Sequence, residues 1–265
     1  MHEPSLRVAL GGFATMLCLS LLSWFVSLMR RDASLVDRMW GVFIASAALT
    51  WFVALPSVGA RGLAMLVLVL VWALRLCIYV TVRNWGHGED RRYREIRVRN
   101  EPGFGLKSLY LVFGLQAVLA WVVTMPLLVG MAADRSLHAL DIVGIALAAF
   151  GMFYEAVGDA QMSRFKADPA NAGRVMDRGL WRWSRHPNYF GEACVWWGLW
   201  LVAVGGAGWA GTWTVVSPLL MTVLLLKVSG VSLLEKDIGE RRPAYRDYIA
   251  RTRAFLPGPP RKGST

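Results

Sequence analysis

The chain has 265 residues, 55% of them hydrophobic, a mean hydropathy of +0.42 and a formal net charge of +11. So apolar a composition excludes disorder, and 13 Trp alongside a positive mean hydropathy point to apolar surface facing lipid rather than a water-shielded core. The basic balance by itself would also suit a nucleic-acid-binding surface, so the placement of the cations has to decide between the two readings.

A membrane-spanning helix needs about 20 predominantly apolar residues. Val8 to Met29 and Met39 to Ala60 carry no charge, and Gly62 to Val82 carries only Arg75. Ser108 to Ala133 is again uncharged, whereas Leu137 to Ala160 contains Asp141, Glu155 and Asp159. Ala193 to Leu226 is uncharged for 34 residues, too long for one ordinary span. The glycines at 205, 206 and 208 place a turn inside it, which predicts one helix from near Pro187 and another from about Trp209 to Leu234. The expectation is an all-α, polytopic membrane protein of about seven transmembrane helices. It forms a single domain over residues 1–256, followed by a flexible tail over 257–265. The first span is too long for a cleavable signal peptide. Cys18, Cys77 and Cys194 lie in apolar segments with no metal-binding spacing, and read as small hydrophobes.

With seven spans, residues 30–38, 83–107, 161–187 and 235–265 share one side and hold 24 of the 29 Lys and Arg. Basic loops stay cytosolic, so the N-terminus is expected outside and the C-terminus in the cytosol. This distribution removes the need for a nucleic-acid partner. It leaves the bilayer, its anionic headgroups, and a polyanionic ligand such as a nucleotide as partners for the charge.

Ionisable groups inside spans are costly and serve as functional hypotheses. Glu155 and Asp159 share one helix face, as do Asn188 and Glu192, so two helices could line a polar cavity. The alternative is that these acids pair with loop arginines to fix packing. Between the two pairs, Pro187 is suited to the first position of a helix, with Ser184 or His186 in the capping region. The free N–H groups there, with Arg182, Arg185 and His186, make an anion site. Trp181, Trp183 and Tyr189 could stack on a ring or belong to an interfacial belt. The stretch Glu89–Arg97 reads as a solvated surface helix or a second polar site. Arg75 and Tyr79 share a face of the third span, and Arg75 is expected to point inward. Lys227 sits deep in the last span.

The stretches Asp159-Ala160-Gln161-Met162-Ser163-Arg164-Phe165, Gly179-Leu180-Trp181 and Arg185-His186-Pro187-Asn188-Tyr189-Phe190-Gly191-Glu192 resemble the C-terminal half of the steroid 5-alpha-reductase-like superfamily. Its bacterial DUF1295-type members are the nearest in pattern. The resemblance covers roughly residues 30–257. It implies a multi-span enzyme of a bacterial inner membrane, with a nucleotide-type cofactor on the cytosolic side. Asp159, Arg164, Arg174, Asn188 and Glu192 match the positions where that family holds NADPH, and Arg75 and Tyr79 match an Arg and a Tyr of its third span. Asp90 and Tyr93, with Trp181, Arg185, His186, Tyr189, Tyr245 and Arg253, complete the candidate cofactor set. No Gly-x-Gly-x-x-Gly follows a strand, so a Rossmann domain is not the means of binding. Two positions depart from the pattern. The family's Gln-Glu-Leu-Pro-Ser stretch corresponds to Val53-Ala54-Leu55-Pro56-Ser57, which puts Ala54 at the Glu position, and Trp72 falls at the Tyr position. Hydride addition still needs a proton source, for which Tyr79 and Asp37 are the nominees.

The leading expectation is therefore an NADPH-dependent reductase of a lipophilic small molecule. The alternatives are an S-adenosylmethionine-dependent methyltransferase and a non-catalytic lipid-binding protein. No metal site is expected, and the sequence carries no signal of oligomeric state.

Overall fold

The structure is a computed structural model that describes residues 5–228, 230–235 and 237–261; among these no strand forms. Helix α1 covers Leu6–Arg30, α2 Leu35–Ala54, α3 Ala60–Arg83 and α4 Arg91–Asn100. A continuous stretch Phe104–Met131 follows, made of α5 (Phe104–Ser108), a π-helical turn (Leu109–Gly114) and α6 (Leu115–Met131). Helix α7 covers Ala139–Ala167 and α8 Pro187–Ala207. Beyond them lie a 3₁₀ segment (Gly208–Val215), α9 (Val216–Val223), a second π turn (Leu224–Val228), α10 (Val231–Glu235), α11 (Ile238–Arg241) and α12 (Ala244–Arg251).

Local chemistry sets many of these boundaries. Ser5 caps α1 by accepting from the Val8 N–H at 3.3 Å, and Arg31 closes it in the left-handed region at φ 51°. Helix α2 stops because Leu55 precedes Pro56 and is forced into an extended conformation, φ −74° and ψ 140°. Asp90 caps α4 through the Arg92 N–H at 2.9 Å. Helix α8 opens on Pro187, as expected, with the Ser184 hydroxyl accepting from the His186 N–H at 3.1 Å.

Six helical stretches are long and apolar enough to cross a membrane, against the seven expected, and the difference lies in Pro187–Val228. Its 42 residues turn at Gly208, which takes φ +61°. The Trp197 indole then donates to the Thr222 hydroxyl at 3.3 Å, a contact across 25 residues that a straight helix could not make. The chain folds back here as the glycines predicted, but the returning arm is a patchwork of 3₁₀, α and π turns ending at Val228 rather than one helix to Leu234. Lys227 consequently sits in the last turn of that arm, exposed, and not deep within a span.

The chain divides into two compact units: Met1–Ile142 with Leu201–Ser217, and Val143–Trp200 with Pro218–Thr265. In the first, small residues let helices approach closely. A Cβ on Gly12 would lie 2.4 Å from the Trp51 indole nitrogen, which donates to the Val8 carbonyl at 3.0 Å. Gly41 faces the Ala73 backbone, where a Cβ would meet the carbonyl at 2.9 Å. Arg61 is buried in this unit, and its guanidinium grips Asp141 at 2.7 and 3.0 Å while donating to the carbonyls of Arg135 and Ser136, each at 2.8 Å.

The second unit is organised by a glycine seam. Gly144, Gly151 and Gly158 recur every seven residues on α7, and Gly191 and Gly198 do so on α8. A Cβ on Gly151 would lie 2.5 Å from the Gly191 carbonyl, and one on Gly198 would lie 2.5 Å from the Gly144 carbonyl. The two helices run antiparallel with their backbones in contact. At one end of the seam, Gly158 meets Pro187 and Asn188. The segment after α12 is also tied down. Arg185 N–H donates to the Arg253 carbonyl at 2.9 Å, the Ser184 hydroxyl to the Phe255 carbonyl at 2.9 Å, and Gly258 N–H to the Trp183 carbonyl at 3.0 Å. This strap is hydrogen-bonded as far as Arg261, whose N–H reaches the Arg251 carbonyl at 2.8 Å; residues 262–265 of the expected tail lie outside the described residues.

Candidate functional site

In the second unit, the seam fixes the polar residues that the sequence singled out. Glu155, Asp159 and Glu192 are buried, and the Asn188 side-chain N–H donates to Asp159 at 3.2 Å. A carboxylate can only accept, so Asn188 must turn its amide donor toward Asp159 and its Oδ1 away. That oxygen is buried and has no hydrogen-bond partner among the described residues. Gln161 accepts from the Leu180 N–H at 2.9 Å and packs where a Cβ on Gly179 would clash, which explains the glycine at φ +56°. Trp181 is buried, its indole donating to the Gly158 carbonyl at 2.9 Å. This places it as a brace on the seam rather than as part of an interfacial belt. Arg164 and Arg174 are exposed.

Beside this lies a second cluster. Arg185 donates two bonds of 2.7 Å to Glu235, and the His186 ring lies 2.9 Å from the same carboxylate. Arg185 also binds the carbonyls of Ile249 and Thr252. The anion held by the Arg185-His186 pair is therefore the protein's own Glu235. Burial works to raise the pKa of Glu235, but the hydrogen bonds from Arg185 and His186 outweigh it and hold the value down to about 2. Tyr189 stacks on His186, centroids 5.3 Å apart and planes 7° apart. Tyr245 packs edge-on against Tyr248, whose hydroxyl donates to the Trp181 carbonyl. Burial, then the nearby Glu235 carboxylate, pushes the Tyr245 phenol up to about 12. Arg253 is exposed, with its guanidinium lying against Gly258.

The first unit holds the remaining candidates. Tyr93, buried on α4, bonds to Asp37 Oδ1 at 2.5 Å, and Arg92 reaches Asp37 at 2.8 Å and Asp90 at 3.0 Å. Asp37 and Tyr93, read from sequence as a proton donor and a cofactor contact, thus form one carboxylate–phenol pair. Burial, reinforced by Asp37, pushes the Tyr93 phenol well above its ordinary range. Helix α4 is accordingly more than a solvated surface helix. Its Glu89 neighbour accepts from Arg97 at 2.7 and 2.9 Å and from the Ala33 N–H at 2.8 Å, tying it to the start of α2. Arg75 and Tyr79 are half-buried on α3, Trp72 is fully buried and Ala54 is exposed.

Sequence reasoning missed Glu235, the Arg61–Asp141 pair and the seam. The seven-residue recurrence of glycine was a readable signal for the seam; nothing in one sequence marks the other two.

Residues 23–252 match the family model described as "Protein of unknown function (DUF1295)". The chain is 26% identical over 261 residues to uncharacterized protein C594.04c of Schizosaccharomyces pombe, covering 88% of this chain and 75% of the yeast protein. No solved structure matches. With this match over most of its length and its apolar helices, the chain is a membrane protein of the DUF1295 family, within the steroid 5-alpha-reductase-like superfamily.

Proposed function

We propose that the protein is a membrane-embedded, NADPH-dependent reductase of a carbon–carbon double bond in a lipophilic, steroid-like or lipid substrate. The observation that carries this reading is the Asn188–Asp159 pair, with Asn188 Oδ1 buried and without a partner among the described residues. Leaving a buried acceptor unmet costs about 1–3 kcal/mol, a cost that a ligand N–H such as a carboxamide removes. Bound NADPH supplies the hydride. Asn188 orients the carboxamide, Asp159 holds Asn188 in register, and the exposed Arg164 and Arg174 suit phosphate groups. Arg185 and His186 act by position, since they fix Glu235 and with it the turn into α8. Family membership supports the reaction class, and the concentration of cations in four loops supports a cytosolic cofactor side and C-terminus.

Thermal denaturation of the detergent-solubilised protein tests the proposal. NADPH at a hundred times its Kd should stabilise the fold by about 2.7 kcal/mol, S-adenosylhomocysteine should not, and Asn188→Ala should abolish the NADPH effect. Stabilisation by S-adenosylhomocysteine alone would assign the site to a methyltransferase. Stabilisation by neither ligand would leave a lipid-binding role.

A further inference from the structure

A recess of about 540 Å³ opens in the second unit between the approach to α8 and the strap beyond α12, lined by Asp177, Arg178, Gly179, Arg182, Arg251, Thr252, Pro260 and Arg261. The strap closes it: the Arg261 N–H bonds to the Arg251 carbonyl and brings a fourth arginine to the rim. Asp177 is the one acid in the lining, and Arg251 already holds it at 2.5 Å. The guanidiniums of Arg178, Arg182 and Arg261 are exposed and make no hydrogen bond or ion pair with any described residue. Three unneutralised cations around one recess repel one another, and a bound anion removes that penalty. Guanidiniums match tetrahedral oxyanions by paired N–H donation, and the volume admits more than a single inorganic ion.

We infer that this recess binds the phosphate group of a phosphate-bearing ligand through Arg178, Arg182 and Arg261. The chemistry is shared by anionic phospholipid headgroups and by soluble diphosphates. Arg182 belongs to the anion-binding string read in the sequence, while Arg178, Arg251 and Arg261 lie outside the cofactor set. The inference therefore does not rest on the reductase reading.

The test uses the full chain in neutral detergent, titrated separately with inorganic pyrophosphate and with mixed micelles containing phosphatidylglycerol. Wild-type protein should bind at least one probe. The Arg178→Gln/Arg182→Gln double variant should bind it roughly tenfold or more weakly, and Arg178→Lys/Arg182→Lys, which keeps the charge but not the paired donors, should fall between that variant and wild type. Arg261→Gln, altered at an exposed position, is the second variant and should weaken the same probe. Loss of pyrophosphate binding identifies a soluble ligand, and loss of micelle binding a lipid headgroup; either supports the site. Binding of neither probe by wild type, or affinities unchanged in both Gln variants, overturns it. Neither probe contains a nicotinamide, so that outcome leaves the cofactor proposal standing.

Discussion

Arg61 and Asp141, 80 residues apart in sequence, form a two-point ion pair whose side chains are 1% and 0% exposed. The guanidinium also satisfies two carbonyls of the loop before α7, so the pair is fully hydrogen-bonded where an isolated charge would be untenable. Arg61→Met leaves Asp141 buried without its cation and should destabilise the protein by about 3–5 kcal/mol. Arg61→Met/Asp141→Leu should recover much of that loss. A double variant no more stable than the single one would show that the charge itself is not the cost.

The Glu235 carboxylate gives acid sensitivity with a definite sign. Its pKa is depressed from an ordinary 4.5 to about 2, so its stabilising contribution is complete above pH 4.5 and disappears as the pH falls through about 2. The stability difference between wild type and Glu235→Gln should be about 3 kcal/mol at neutral pH and shrink toward zero across that window. Chemical denaturation at a series of pH values measures it. A difference that stays constant with pH would remove the ionised Glu235 from the account.

The glycine seam can be tested with two alanines. In Gly151→Ala the new Cβ meets the backbone of α8, and separating the helices should cost about 1–3 kcal/mol and weaken NADPH stabilisation, because Asn188 moves away from Asp159. Gly59→Ala, with nothing within 4 Å of the new Cβ, should be close to neutral. Equal melting temperatures for the two would contradict the backbone contact.

Removing the phenolic hydroxyl in Tyr93→Phe takes a hydrogen bond from the Asp37 carboxylate and should cost about 1.5–3 kcal/mol. In wild type the raised phenol should keep its proton beyond pH 10, with its stabilising contribution lost only as the pH climbs further. Ultraviolet titration should show several late-ionising tyrosines, Tyr93 and Tyr245 among them, of which Asp37→Asn moves one, Tyr93, to lower pH.

Helical class, most span boundaries and the start of α8 at Pro187 were legible because each depends on local pattern: runs without charge, a proline, a capping hydroxyl. The turn at Gly208 was legible for the same reason. The pairing of Asp159 with Asn188 was half legible, since helical spacing set the faces but the glycine contacts set the distance. Glu235 was invisible as the counter-charge of Arg185 and His186, and Asp37 as the partner of Tyr93. Those contacts close across 49 to 56 residues, and their partners are chosen by tertiary packing, which no local propensity encodes.

The strap over the turn into α8 orders events during synthesis. The Trp183 carbonyl, the Arg185 N–H and the proton of the Ser184 hydroxyl find partners in residues 253–258, so these bonds of the Arg-His-Pro turn cannot form until those residues have left the ribosome. For the time taken to translate some 70 further residues, the Trp183 carbonyl and the Arg185 N–H wait without these partners. A stop codon before position 253 would make that wait permanent and leave the site open to proteolysis.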